Sequence, residues 1–322
     1  MRPCGEWKKH LGEQRKILMK TGLKNLGSSE FQAIDAQASV LMKRGIGLLA
    51  ANRPDSAAQA LVLFDSALEL RRRLPVETVP LFAYGLAACW LNRAEVLMRL
   101  PSADGGNAVA ALHAYDEAIR LLRNLPFDEN AKIPRRLAIA YQNRGLALQF
   151  QGRSGIAAVC TAFFDAIAVL DHAESALIPD RQYLQGAVWS NLANTWACAS
   201  DAGSLALARN AARRAIALVS DLEMNDANAA EVGLKARHVL CQTVALTLSQ
   251  GTTKGETDLD TVHEATDAAD DGLALARYWE QKGVARFRDI ACDLFRFGAL
   301  VYARFQPHFV DEFVGDNLDV TR

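Results

Sequence analysis

Trp90-x-x-Arg93-Ala94-x-x-Leu97 and Tyr141-x-x-Arg144-Gly145-x-x-Leu148 are two versions of one pattern. Leu41-x-x-Arg44-Gly45-x-x-Leu48 precedes them. Trp189-x-x-Leu192-Ala193-x-x-Trp196 and Val239-x-x-Gln242-Thr243-x-x-Leu246 follow. Each places large apolar residues seven apart, with a smaller residue one step after the centre. These spacings put the apolar residues on one helix face, and the small residue lets a second helix approach closely. The pattern recurs every 48 to 51 residues, so the chain is built of repeats.

A second pattern follows each of the first: Ala60-x3-Phe64-x2-Ala67, Ala111-x3-Tyr115-x2-Ala118, Cys160-x3-Phe164-x2-Ile167, Ala208-x3-Ala212-x2-Ala215 and Ala265-x3-Ala269-x2-Gly272. Pro75, Pro126 and Pro179 close the first three units, because proline cannot continue a helix. Each unit is therefore expected to be a helix, a turn and a helix. Breaker-rich loops fall at 101–107, 126–134, 222–228 and 250–258.

In this register the chain resembles the tetratricopeptide repeat family, whose pattern is Trp-x2-Leu-Gly-x2-Tyr followed by Ala-x3-Phe-x2-Ala and a closing proline. The resemblance covers roughly residues 34–280. It departs from the family in period, which is about 34 residues there, and in the family's Leu, replaced here by Arg44, Arg93, Arg144 and Gln242. The resemblance implies an all-α fold, an α-solenoid winding as a right-handed superhelix of about five TPR-like helix pairs. Residues 31–283 form the repeats, and 284–322 carry helices that cap the last face, rich in aromatics at Phe287, Phe295, Tyr302, Phe309 and Phe313. Residues 1–30 hold seven Lys or Arg against three Glu and read as a basic arm or N-terminal capping helix, with membrane or nucleic-acid contact the lesser reading.

Composition narrows function. Half of the 322 residues are apolar and the net charge is −1, so no global field draws the chain to nucleic acid. The six cysteines stand far apart without a CxxC pair, which reads as free thiols in a reducing compartment, with the cytoplasm as the default location. No signal-peptide core or membrane-length apolar run is expected. No P-loop, dinucleotide fingerprint or GxSxG elbow is present. His263-Glu264 lacks a second histidine, and Asp258 with Asp260 begins a calcium-like loop that Val262 breaks. Seven acids between Glu256 and Asp271 read as a helix start and a solvated face, or as a cation or basic-peptide site. The expectation is a non-enzyme without metal or cofactor.

Arg44, Arg93 and Arg144 sit on apolar faces, where an unpaired charge is costly. Asp65, Asp116 and Asp165 follow the aromatics of the second helices, and in the fourth unit Leu192 and Arg213 replace both. This co-variation predicts an Arg–Asp pair inside each of the first three units. The rival reading is an arginine ladder facing the groove to bind carboxylate or phosphate. Asn92, Asn143 and Asn191 form a second ladder, able to hold extended peptide backbone because each amide both donates and accepts, or else bonded within the stack. Carried over from the family, whose first helices line a concave groove, Glu95, Arg99, Gln142, Gln149, Ser190 and Asn194 are further peptide-binding candidates, with Leu91, Leu146 and Phe150 as apolar neighbours. The expected role is a protein-interaction scaffold. The alternatives are a structural subunit of a larger or homo-oligomeric assembly, or a helical nucleic-acid-binding regulator.

Overall fold

The computed structural model describes residues 27–51, 53, 55–101, 106–126, 132–152, 155–172, 178–249 and 259–317. The basic arm lies almost wholly outside them. The described chain is all-α and divides into two compact units, 1–151 and 152–322.

The first unit holds α1 (Gly27–Ala51), α2 (Ser56–Arg72), α3 (Pro80–Arg99), α4 (Gly106–Arg123) and α5 (Lys132–Gln151). Each helix packs on the next, while α1 touches α3 and α3 touches α5. Sequential neighbours plus contact between alternate helices is the packing of a helical-repeat stack, in which each unit buries its apolar face on the next. Pro80 occupies the first turn of α3, where its missing N–H costs nothing. The expected small-residue contact is visible at Gly45: a Cβ there would stand 2.4 Å from the Phe64 ring.

The second helices bury a fixed set of positions. Ala60, Phe64 and Ala67 are fully buried in α2, as are Ala111 and Ala118 beside nearly buried Tyr115 in α4. One turn further, at the position of Leu122, α2 carries Arg71, only 6% exposed. Its Nε donates to Asp35 at 2.9 Å, and its terminal nitrogens donate to Gly85 O at 2.7 Å and Ser39 Oγ at 2.9 Å. Arg71 thus ties α1 to α3. A buried guanidinium persists only when its N–H groups find acceptors.

The second unit holds α6 (Ile156–His172), α7 (Arg181–Ala197), α8 (Ala202–Val219), α9 (Ala227–Ser249), α10 (Leu259–Gln281), α11 (Arg288–Phe305) and α12 (Val310–Asn317). Successive helices from α6 to α12 pack on one another, and α7, α9 and α11 lie side by side. The α8 start is capped by Asp201, which accepts the Ser204 N–H at 2.9 Å; the Ser204 side chain first, and then this N–H, hold its carboxyl below the usual value. Gly283, at φ +83°, ends α10, and Val284 N–H returns to Trp279 O at 2.9 Å. Helix α12 folds back on α11, where Phe313 is buried against Phe295 and Tyr302, and Arg277 donates to Asp316 O and to Asn317.

Between α8 and α10 lies a charged pair that the sequence patterns do not signal. Arg237 on α9 is buried with Glu223 in a two-point pair, 2.6 and 3.0 Å. The Glu223 backbone carbonyl accepts from the Trp279 indole at 2.9 Å. Gly233 leaves the carboxylate its room, since a Cβ there would stand 1.5 Å from Glu223 Oε1.

His238 on α9 packs on Phe297 of α11, ring centres 5.4 Å apart. Burial depresses its pKa below the ordinary 6.5, opposed in part by Asp293. A depressed folded-state value means stability that is full above the unfolded pKa and is lost as pH falls through it toward the folded value. We predict that denaturant unfolding shows a drop in stability from pH 7 to pH 5, and that the drop is smaller in His238→Gln. Equal drops in both proteins would remove His238 from the account.

Candidate functional site

Two of the three first-helix arginines, Arg93 and Arg144, are partnered, but one repeat further along than the sequence implied. Arg93 on α3 donates from Nε to Asp65 on α2 at 2.7 Å, and Arg144 on α5 donates to Asp116 on α4 at 2.6 Å. Each pair spans 28 residues and bridges successive helix pairs instead of closing one. The expected pairings Arg44–Asp65, Arg93–Asp116 and Arg144–Asp165 are corrected accordingly. The physical reason is geometric: a second helix presents this position to the first helix that follows it. Both bridges are partly exposed, and such pairs are worth about 0–1 kcal/mol each. Arg44 has no preceding second helix among the described residues. It is exposed, beside a shallow depression lined by Gly47, Leu48, Gln59 and Leu63.

The third second-helix pattern is corrected by one residue. Phe163 is fully buried in α6, together with Val159 and Ala166, whereas Phe164 is 45% exposed. The structural equivalents of Ala60-x3-Phe64-x2-Ala67 are therefore Val159, Phe163 and Ala166, and the equivalent of Asp65 and Asp116 is Phe164, not Asp165. A partial signal for this was present in the sequence: Leu122, Leu170 and Val219 are apolar at the shared position where the second helices end, although Arg71 is not. The residue eleven positions after the first small one is buried in every complete second helix before α10: Arg71, Leu122, Leu170 and Val219. The Phe164 register would have placed Asp171 there instead.

This junction position then reads along the chain as Asp65, Asp116, Phe164, Arg213 and Asp270. Arg213 on α8 pairs with Glu264 on α10 through two bonds of 2.6 Å. Asp270 accepts from Tyr302 Oη on α11 at 2.6 Å, while burial raises its pKa. Phe164 instead meets Trp189 and Trp196 of α7, with ring centres 6.3 and 6.1 Å away, and Leu192, where Arg93 and Arg144 stand in their helices, is fully buried. Arg214 of α8 lies over Trp189 at 4.4 Å. Sequence reading missed this cluster because it placed Phe164 in the core.

The peptide-binding candidates fall on the first helices of both units. In the first unit, Glu95 and Arg99 form a 2.5 Å pair one turn apart on α3. Asn92 donates to Ala88 O at 2.8 Å in its own helix, and Asn143 is half-buried on α5, near Tyr115 of α4. Gln142 and Gln149 are half-buried on α5, while Leu146 and Phe150 are exposed, Phe150 by 72%. In the second unit, Asn191 is half-buried on α7, Asn194 is exposed and Ser190 is buried. Of the three asparagines, Asn92 is engaged with the backbone of its own helix.

Among the described residues, no three His, Cys, Asp or Glu side chains gather as a metal would require, and no helix is long and apolar enough to cross a membrane. The cysteines at 89, 160, 198 and 241 are free thiols. Cys241 is fully buried, which pushes its thiol up to about 12 and leaves it unreactive at neutral pH.

The sequence matches no protein-family model and no curated protein. Among solved structures, one described as "The hypoxic regulator of sterol synthesis Nro1 is a nuclear import adaptor" aligns with 97% of this chain and 93% of its own, at 12% identity and a TM-score of 0.47.

Proposed function

We propose that the chain is a non-enzymatic interaction scaffold, and that the TPR-like first-helix surface of its first unit binds a peptide or protein face. Phe150 carries the reading. A large aromatic side chain, mostly in water, stands one helical turn from exposed Leu146. Amides of Gln142 and Gln149 lie on the same helix, and the Glu95–Arg99 pair lies on α3, which α5 touches. Apolar anchors with a polar rim are the composition of recognition surfaces, and the amides can bond a peptide backbone in both directions. Asn92 and Asn143 are the remaining positions of this reading in the first unit; Asn191, Ser190 and Asn194 stand on α7 of the second unit and are not counted in this face. Buried free thiols at Cys89, Cys160 and Cys241 agree with a reducing compartment such as the cytoplasm.

The test is affinity capture of the tagged protein from the lysate of its own cells, wild type against Phe150→Ala with Leu146→Ala. The expected result is a partner recovered by wild type and reduced at least tenfold by the double variant, with the helical circular dichroism of both proteins equal. Undiminished recovery would reject this face. Exposed Leu300 on α11 and Phe309 after it support a second reading, self-assembly through the C-terminal end. Light scattering distinguishes the two, since a monomer at working concentration removes the second.

A further inference from the structure

Each first helix of the first unit turns one face toward the preceding repeat, and that face is covered on α3 and α5 but bare on α1. On α3 it carries Phe82, Leu86, Cys89, Arg93 and Val96, all buried except Arg93, which is half-buried and held by Asp65. Helix α2 supplies the cover: Arg71 donates to Gly85 O at 2.7 Å and to Cys89 Sγ at 3.4 Å, and Asp65 meets Arg93. On α5 the same positions are Ile133, Leu137, Ala140, Arg144 and Ala147, again buried but for the arginine, which Asp116 of α4 holds. On α1 they are Ala33, Gln37, Val40, Arg44 and Gly47, and every one is exposed, Val40 by 56%.

A repeat stack that ends in water closes with a polar face, whereas this one keeps Val40, Ala33 and Gly47 around an arginine. Arg44 makes no hydrogen bond or ion pair among the described residues, and the depression beside it is lined by Gly47, Leu48, Gln59 and Leu63, none of them acidic. An arginine at this position takes a carboxylate from a second helix in both later repeats, so the chemistry that fits Arg44 is a helix bearing an acid. The chain itself does not offer one. The second-helix acids Asp65, Asp116 and Asp270 are already bonded to Arg93, Arg144 and Tyr302. At the 28-residue spacing of both bridges, the residue before Arg44 is Lys16, a like charge. Helix α12 is acidic but has eight residues against seventeen in α2 and eighteen in α4, and its Phe313 is buried.

We propose that the open face of α1 docks an amphipathic helix of another protein, one that imitates the second helices of this chain. Its pattern follows from α2 and α4, which read Phe64-Asp65-x5-Arg71 and Tyr115-Asp116-x5-Leu122. That is a large apolar residue, an acid directly after it, and a long side chain six residues beyond the acid. The docked helix runs antiparallel to α1, as α2 runs to α3. Its acid meets Arg44, and its long side chain lies over Ala36 and Val40, as Arg71 lies against Gly85 and Cys89. This face is separate from the Phe150 surface and does not depend on it.

A displayed library of randomised helical peptides, each as long as α4 and selected on the full chain, tests it. Recovered peptides are measured by fluorescence anisotropy against wild type, Arg44→Glu, Val40→Glu, and Phe150→Ala with Leu146→Ala. Both α1 substitutions put a good helix former at an exposed position, so each should keep the wild-type unfolding temperature. The expected result is enrichment of helices with an acid directly after a large apolar residue. Their affinity falls at least tenfold in Arg44→Glu and in Val40→Glu, is unchanged in the Phe150 and Leu146 double variant, and returns in Arg44→Glu when the peptide acid is changed to lysine. No recovered peptide, or peptides indifferent to Arg44→Glu, would overturn the proposal. So would a clear fall in unfolding temperature with Val40→Glu, since the chain's own first residues would then cover the face. A dimer of wild type that Arg44→Glu dissolves would overturn it too, because the occupant would be a second copy. Peptides lost in the Phe150 and Leu146 variant but kept in Arg44→Glu would support that surface and reject this one.

Discussion

Glu223→Ala is expected to destabilise the protein by about 3–5 kcal/mol, the cost of leaving a buried charge without its partner. Arg237 cannot reach water: its side chain is 9% exposed, and that of Glu223 is 6% exposed. The carboxylate accepts both terminal nitrogens of Arg237, so its removal abandons a cation between α9 and the turn after α8. A loss of that size lowers the unfolding midpoint by about 6–20 °C for a unit of this length. Replacing both partners together, Glu223→Met with Arg237→Met, is expected to recover most of the loss, because a buried ion pair contributes little beyond what apolar packing of similar volume provides. Thermal unfolding of the single and double variants checks both statements. A single variant within about 0.5 kcal/mol of wild type, the range of ordinary surface changes, would mean that water reaches Arg237.

The second large effect separates two adjacent phenylalanines. Phe163→Ala is expected to cost about 3–5 kcal/mol, the lost transfer energy of a buried ring plus the cavity it leaves. Phe163 is fully buried among α6 and its neighbours, at the position of Phe64 and Tyr115. Phe164→Ala, one residue on, is expected to cost no more than about 1 kcal/mol, because the ring is 45% exposed. Chemical denaturation of the two variants decides the register of α6. Equal losses, or the larger loss at Phe164, would restore the register in which Cys160, Phe164 and Ile167 line the core.

These two tests mark where sequence patterns were sufficient and where they were not. Helix pairing and close contacts such as Gly45 on Phe64 were legible, because periodicity and small residues act within one or two helices. The co-variation of Arg with Asp was also legible, but not its direction. Arg93 has an aspartate available on either flanking second helix, at Asp65 and Asp116, and both lie at helical spacing. Only the packing shows that α2, not α4, presents its carboxylate to Arg93. The candidate asparagines show the same limit. Asn92 bonds its own helix, a contact that no spacing rule ranks above a bound peptide.

The pairs Arg71–Asp35 and Glu223–Arg237 were not legible at all, since each joins residues whose types alone read as surface charge. The sequence by itself determined an all-helical chain of paired helices with buried small residues and without a motif for chemistry. Only the tertiary structure decided which phenylalanine is core, which charges are buried and which aromatic face is left to solvent. The reason is that local pattern fixes the face a side chain occupies on its helix, whereas burial and partnership depend on which other helix arrives at that face.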